Sequence, residues 1–376
     1  MRLTVESVIY FYIFICVALL VFNLLYITRS QRTKRRRMSR VRWWERELAG
    51  LFAAGGDSGQ SAGELFARLK RTEELMAFQE ALGEHLPAYP QEMRALFLQN
   101  RQPLYALALA YEKKPPMDRA FFAYVIASFH PPIGTGHDML VEILLGYMEN
   151  STVYCRENVL NALYALGSER GIEHAFELLN LRGWYHHPKL LSDGLAKYTG
   201  DKARLVQRLW QRRKQWPEFL VVATVQFASG LGEDTFSQPF LEALVQEALP
   251  MEARFALVRY FQRHVCDAAK PVLLDLMDMH TGTEQQLAIA AASALSAYPG
   301  EDTRRSLKAA LSSRNWYIRR NAALSINKLG ITQDDVAEIR SGGDRYALEM
   351  LEYAAGNRGL REESLPKEQE RTALSV

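Results

Sequence analysis

The chain has 376 residues, of which 48% are hydrophobic and 24% are charged, values typical of a globular protein. These proportions exclude wholesale disorder, a collagen-like fibre and a multi-span membrane protein. The cysteines, Cys16, Cys155 and Cys266, form neither a disulfide framework nor a metal-ligand spacing.

The net charge of +3 is unevenly distributed along the chain. Eight of the 46 basic residues lie between Arg29 and Arg42, with no acidic residue among them. Residues 43–376 carry 37 basic and 42 acidic side chains, a balance of −5. A mildly acidic body behind a concentrated basic segment disfavours general nucleic-acid binding and favours contact with a membrane surface.

Residues Val8 to Ile27 form an uncharged, largely apolar run of 20 residues. As a helix this run is about 30 Å long, close to the hydrocarbon thickness of a bilayer. A cleaved signal peptide is the alternative, but its apolar stretch is shorter and ends at a small-residue cleavage site. We therefore expect residues 1–28 to comprise a short extracytoplasmic N-terminus and a retained single transmembrane helix.

Residues 29–52 are predicted to form a basic juxtamembrane segment that continues into an amphipathic helix. The excess of Lys and Arg after the span places the N-terminus outside and the C-terminal part in the cytoplasm, at the plasma (inner) membrane. The face shared by Val41, Trp44 and Leu48 predicts either an interfacial helix on anionic lipid or an ordinary helix after a stop-transfer signal. The candidate membrane-surface residues, which would contact anionic headgroups, are Arg35, Arg36, Arg37, Arg40, Arg42, Trp43 and Trp44.

The Gly- and Ser-rich residues 53–63 are typical of a flexible linker. Residues 64–136 read as an irregular helical region that is interrupted by proline pairs, and residues 357–376 as a disordered tail. Beyond the linker we find no strand-like alternation of any length. The fold class predicted is therefore all-α.

Residues 137–356 contain an internal repeat with a period of roughly 30–35 residues. Each period holds two apolar helical segments, and the second segment is rich in alanine and commonly ends at a glycine. These endings fall at Gly167, Gly200, Gly230, Gly300, Gly330 and Gly356. Two helices per period predict antiparallel hairpins that bury their apolar faces by stacking on their neighbours, which is an α-solenoid.

The segment from Asn315 to Gly330 reads NWYIRRNAALSINKLG and resembles the second helix of a HEAT repeat, a family that includes the repeats of the bilin-attaching (PBS) lyases. The segment from Ser151 to Gly167 is similar. The resemblance implies a right-handed superhelix over residues 137–356 that serves as a scaffold or a binding surface. It also implies that arginines such as Arg156 and Arg319 pair with turn carboxylates of neighbouring repeats.

The sequence lacks common catalytic signatures, among them HExxH, GxSxG, CxxC, GxGxxG and GxxxxGK(S/T). His186 and His187 are expected in a loop before a helix that starts at Pro188, and Asp138 is expected to cap a helix. The second helices carry charges of mixed sign, which is not a phosphate track. We predict no catalytic, cofactor-binding or metal-binding residues, no cofactor and no enzyme activity.

Aromatic residues recur at the turn between the first and second helices of the predicted repeats. These candidate partner-binding residues are Tyr154, Trp184, Tyr185, Trp216, Trp316 and Tyr317. Each of them either closes its own hairpin from within or belongs to an exposed ridge that anchors a partner, since Trp and Tyr are enriched at interfaces.

Together these features predict a membrane-anchored cytoplasmic HEAT-repeat scaffold that binds a protein partner at the inner membrane surface. We expect this partner to be a membrane protein. One alternative is a lyase-type enzyme of the same repeat family. The other is a membrane-surface lipid sensor, in which the basic segment performs the function and the helical array supports it.

The predicted topology is testable with a reporter that is active only outside the cytoplasm. Fused after Val376, such a reporter should stay silent, because the basic residues after the span retain that side of the chain in the cytoplasm. A strong signal from this fusion would contradict the predicted orientation.

Overall fold

The computed structural model describes residues 5–53, 61–85, 88–133, 136–232, 234–278 and 285–363. Every regular element within these ranges is helical, which confirms the all-α prediction for this part of the chain. The chain divides into two compact units. The first comprises Met1–Leu178 with Lys197–Gly200, and the second comprises Leu179–Ala196 with Asp201–Val376.

The first unit is built from two rows of helices. The helices α1, α3, α6 and α8 pack each against the next, and α2, α5 and α7 do the same beside them. The region that the sequence describes only as irregular helix therefore takes part in both rows. The bounds are α1 Val5–Ala53, α2 Ser61–Arg68, α3 Thr72–His85, α4 Pro90–Gln99, α5 Arg101–Glu112, α6 Pro116–Phe129, α7 Met139–Gly146 and α8 Val153–Leu166, followed by α9 Glu169–Leu181.

Buried tyrosines tie successive helices together in the first unit. The Tyr111 hydroxyl donates to the carbonyl of Leu69 at 2.9 Å, and that of Tyr147 donates to the carbonyl of Ala108 at 2.6 Å. The ring of Phe122 contacts both tyrosine rings. Burial raises the pKa of both hydroxyls above the usual 10.0, which favours the protonated form that donates these bonds.

In the second unit the even-numbered helices α10 to α20 form a row, here called the even row, in which each helix packs against the next even-numbered one. Each odd-numbered helix from α11 to α19 packs against the even-numbered helix that follows it. The bounds are α10 Pro188–Leu195, α11 Lys202–Gln211, α12 Glu218–Ser229, α13 Ser237–Gln246, α14 Met251–Arg263, α15 Ala269–Asp278, α16 Gln285–Ala294, α17 Glu301–Leu311, α18 Trp316–Leu329, α19 Gln333–Ser341 and α20 Arg345–Glu363.

Alanines lie where helices of the even row approach one another. On α16 and α18 these side chains are completely buried, as are their counterparts earlier in the row. A methyl group adds little bulk, so the backbones of neighbouring helices can come close without leaving a void. The alanines concerned are Ala223, Ala288, Ala291, Ala322 and Ala323.

Helix ends match the sequence-based boundaries at some glycines and differ at others. Helix α8 ends at Gly167, whose φ of 72° is a left-handed cap conformation that favours glycine. Gly330 follows α18 with a φ of 88° and a ψ of 113°, a different conformation whose positive φ also favours glycine. Three predicted ends are wrong: α10 stops at Leu195 rather than near Gly200, α16 stops at Ala294 while Gly300 is the N-cap of α17, and Gly356 lies inside α20.

Local capping accounts for two loop predictions, which are confirmed. Helix α10 begins at Pro188, and the His187 ring accepts a hydrogen bond from the backbone of Lys189. The side chain of Asp138 accepts from the backbone of Leu140 and caps α7.

The arginine of the best-matching repeat is bonded differently from the expectation. The Arg319 guanidinium donates to the carbonyl oxygen of Ser313 in the preceding turn, at 2.6 and 3.1 Å. Its charge also contributes to lowering the pKa of Asp344, for which a hydrogen bond from Ser312 is the largest cause. The main partner of Arg319 is thus a carbonyl of its own hairpin.

The structure revises two predicted segment boundaries. Helix α2 begins at Ser61, inside the predicted linker 53–63, and residues 54–60 of that linker lie outside the described residues. Helix α20 continues to Glu363, so the predicted disordered tail 357–376 begins as helix, and residues 364–376 lie outside the described residues.

The packing of the even row predicts that Ala323→Asp is strongly destabilising. Ala323 is fully buried on α18, so the substitution places an unpaired carboxylate between helices, at a cost of roughly 3 kcal/mol or more. Thermal unfolding of the full-length protein in detergent, followed by circular dichroism, measures the effect. Ala309→Asp on the exposed side of α17 is the matched control, and equal melting curves for both variants would contradict the packing.

Candidate functional site

Helix α1 is one continuous helix from Val5 to Ala53, and its first half is the candidate membrane anchor. Within the described residues it is the one helix long and apolar enough to cross a bilayer. The side chains from Tyr10 to Ile27 are exposed to the surroundings of the protein, and none is packed in the core. The helix does not break at the end of the apolar run, and the hydroxyls of Thr28 and Thr33 within it bond back to carbonyls of the preceding turn.

The second half of α1 is buried in the protein. Val41, Trp44, Leu48 and Phe52 are each at most 3% exposed, and this face packs against α3. The Trp44 ring meets Phe78 edge-on, with 5.0 Å between ring centroids. The apolar face predicted as a possible lipid-lying surface is therefore covered by protein, and the structure places Trp44 in the core instead of at a membrane surface.

A buried carboxylate, that of Glu74 on α3, fixes this junction. It accepts hydrogen bonds from the indole of Trp44 at 3.1 Å and from the Arg68 guanidinium at 3.0 and 3.2 Å. Arg40 lies 3.5 Å from its other side. The guanidinium of Arg68 also covers the ring of Trp43, 3.8 Å from the ring centroid. Three donors thus compensate the loss of hydration of one carboxylate.

The predicted membrane-surface residues fall into two groups. Arg35, Arg36 and Arg42 are exposed. The others contact the body of the protein: Arg37 forms an ion pair with Glu80 at 2.7 Å, and Arg40, Trp43 and Trp44 surround Glu74 and Arg68. The basic segment therefore docks the helix with part of its charge and leaves the rest accessible.

The candidate partner-binding aromatic residues differ in how much of each side chain is exposed. Tyr154 in the first unit is exposed, as are Tyr185, Trp316 and Tyr317 in the second, whereas Trp184 is half-buried. Trp216 is only 8% exposed, so it is packed in the interior and takes no part in an exposed ridge.

The exposed aromatics of the second unit are paired with other side chains. The ring of Tyr185 meets that of Phe219, with 5.3 Å between centroids, and Trp316 meets Tyr317 at 5.1 Å. The Arg320 guanidinium lies 5.7 Å from the Trp316 centroid. These contacts hold the rings in place while leaving half or more of each exposed, which suits an anchor for a partner.

A groove runs along the exposed face of the even row, and motif analysis of the sequence does not detect it. It consists of two adjoining cavities of about 430 and 390 Å³ that share Arg259 and Gln262 of α14. The first extends over α10 and α12, and the second over α16 to Asn321 of α18. We call this surface the even-row groove.

The first cavity of the groove is positively charged. Arg259 and Arg263 lie one turn apart on α14, both exposed, and neither has an ion-pair partner among the residues that the structure describes. Lys202 adds a third charge and donates to the carbonyl of Ala196. The acidic residue of this cavity, Asp193, is neutralised by Lys189 at 2.6 Å.

The mixed charge expected on these helices is thus present, but the charges do not cancel locally. Lys189 and Asp193 pair with each other along α10, which leaves the cations of α11 and α14 in excess. In a body with a net charge of −5, this cavity is a local basic site. Within the described ranges, no group of three or more His, Cys, Asp or Glu side chains is placed to hold a metal ion.

No protein-family model matches the chain, and no curated protein sequence matches it significantly.

The different environments of the two tryptophans predict different effects of truncation. Trp216→Ala should destabilise the protein by about 3–5 kcal/mol, because it removes a large buried side chain. Trp316→Ala should change stability by about 0.5 kcal/mol, because half of this side chain is exposed. Thermal unfolding of the two full-length variants side by side measures the contrast, and a larger loss for Trp316→Ala would reverse the assignment.

Proposed function

We propose that the protein is a single-pass membrane protein whose cytoplasmic helical array is HEAT-like and binds a protein partner at the inner membrane surface. The apolar half of α1 is the anchor, and the basic residues after it set the orientation. The array provides the binding surface.

The continuity of α1 is the observation that carries this proposal. The same helix is exposed and apolar from Tyr10 to Ile27 and is buried in the helical body from Val41 to Phe52. A helix that spans a bilayer and then enters a core holds the first unit beside the membrane directly, without an intervening flexible segment. This arrangement suits a scaffold that presents its surfaces to membrane-associated proteins.

The packing within each unit supports a HEAT-like array. In the second unit each even-numbered helix packs on the next, and each odd-numbered helix packs on its following partner. This is the pattern expected of stacked hairpins, in which each repeat contacts only its neighbours. The close match of the Asn315–Gly330 segment to a HEAT second helix points the same way.

Two features of the second unit are suited to protein binding. The exposed rings of Tyr185, Trp316 and Tyr317 are held by neighbouring side chains, as in interface anchors. The even-row groove adds a long concave surface with polar and charged walls.

The lipid-sensor alternative receives less support from the contacts of α1. Such a sensor needs the apolar face of residues 41–52 to enter the headgroup region, and that face is packed on α3. The exposed residues Arg35, Arg36 and Arg42 remain available for anionic headgroups. We assign them a supporting role in anchoring.

Site-specific photo-crosslinking in native membranes tests partner binding. A photoreactive phenylalanine analogue is placed in the full-length protein at Tyr185, at Tyr317 or, in the groove, at Gln226. Tyr124, an exposed aromatic of α6 in the first unit, is the matched control position. We expect a discrete protein adduct from at least one of the three sites and none from the control.

Two results of the same crosslinking experiment would contradict the scaffold proposal. If none of the three positions yields a protein adduct while the chain is folded and inserted, the scaffold proposal fails. Adducts of equal intensity at the control position indicate non-specific contact and count against it as well.

A further inference from the structure

We propose that the even-row groove binds an extended, acidic segment of the partner protein. This inference rests on the proposed function and names the chemistry of the partner. It draws on three properties of the groove: its charge, its length and the orientation of its amide side chains.

The charge of the groove selects an anionic ligand. Arg259 and Arg263 project from one face of α14 and have no ion-pair partner among the described residues, and Lys202 approaches from the start of α11. The two acidic side chains that line the groove are Asp193, which is paired with Lys189, and Glu252, which lines the other cavity. Guanidinium groups on successive turns suit carboxylates, because each forms two parallel hydrogen bonds with a carboxylate.

The length of the groove suits a segment of polypeptide. Its walls come from five consecutive helices of the even row, α10 to α18. With neighbouring helix axes about 10 Å apart, the groove is about 40 Å long. An extended chain of about 12 residues covers this distance. A small anion would occupy only the part beside the two arginines.

Three amide side chains along the groove are held at one end by the protein. The Ser192 hydroxyl donates to the carbonyl of Lys189 at 3.0 Å and lies 3.4 Å from the side-chain oxygen of Gln226, whose NH₂ has no partner among the described residues. The side-chain NH₂ groups of Gln262 and Asn321 donate to the carbonyls of Ser293 and Ile289, respectively. The side-chain oxygens of these two amides have no hydrogen-bond partner among the described residues. Fixed donors and acceptors spaced along a groove match the N–H and C=O groups of an extended backbone.

The distribution of charge favours a peptide over a nucleic acid. A polynucleotide carries a charge at every residue and is bound by cations along its whole path. Here the cations lie at the α10–α14 end, and the cavity at the α16 end contains Arg259 and Glu252 with amides, Ser293 and apolar side chains. A segment with acidic residues at one end and mixed residues at the other fits this pattern.

Fluorescence anisotropy with the full-length protein in nanodiscs of neutral lipid tests the inference. The probe is a labelled peptide of about 12 residues in which Glu and Asp alternate with Ser and Gly, and the reference peptide has Gln and Asn in place of the acids. We expect the acidic peptide to bind at least about tenfold more tightly than the reference, with affinity that falls as ionic strength rises.

The double variant Arg259→Glu/Arg263→Glu should lose at least about tenfold in affinity for the acidic peptide and gain affinity for a Lys-substituted version. The matched control is Arg305→Glu/Arg340→Glu, which makes the same change of charge at exposed residues outside the groove and should bind as the unmodified protein does. Circular dichroism of both variants checks that the fold is retained.

The inference is wrong if both peptides bind equally, if the two double variants behave alike, or if single-stranded DNA or inorganic phosphate displaces the acidic peptide at lower concentration than unlabelled peptide does. Such a result leaves the scaffold proposal standing wherever crosslinked partner adducts form in membranes. If no crosslinked adducts form but the acidic peptide binds, the scaffold proposal is contradicted and the proposal that the groove binds an acidic segment stands.

Discussion

The structure depends on the docking of the second half of α1 against α3. Trp44 is buried at this junction with its indole N–H bonded to Glu74, and the same carboxylate receives Arg68. A buried carboxylate is stable only where donors replace its hydration. Here they come from α1 and from the end of α2, so the charge of Glu74 joins three helices. Because the docked helix also carries the candidate span, this polar cluster would, in the proposed arrangement, connect the bilayer to the first unit.

The two basic regions of the protein are formed in different ways. The basic segment of α1 has this charge because its cations are adjacent in sequence, and some of them form ion pairs with Glu74 and Glu80. The even-row groove is basic because packing assembles cations from α11 and α14 around an Asp193 that is already paired. The first region suits a planar surface of anionic headgroups, and the second suits a narrow ligand with few charges.

Much of the fold follows from local sequence signals. The apolar run, the helical periodicity, the cap at Asp138 and the glycine after α8 each act within a few residues, so sequence alone predicts them. An amphipathic helix face has the same sequence pattern whether lipid or protein covers it. The sequence alone therefore does not predict that Trp44 is buried. Trp216 and Trp316 have the same side chain at similar turns, and only the packing around them separates a buried ring from an exposed one.

The groove is the clearest case of a feature that sequence alone does not reveal. Lys189 and Arg263 are far apart in the chain, and their proximity results from the packing of α10, α12 and α14. The neutralisation of Asp193 by Lys189 also depends on side-chain geometry. A count of charged residues along the second helices does not distinguish paired from unpaired charges. It therefore indicates a surface of mixed sign and misses the local excess of cations.

The unbroken course of α1 makes the thickness of the bilayer relevant to the first unit. A transmembrane helix longer than the local hydrocarbon core tilts, and one that is shorter thins the bilayer or draws its flanks inward. Residues Val41 to Phe52 are packed on α3, so a tilt of the proposed anchor would also turn α3. In the proposed membrane-anchored arrangement, lipid composition would thereby affect the angle at which the first unit meets the bilayer surface.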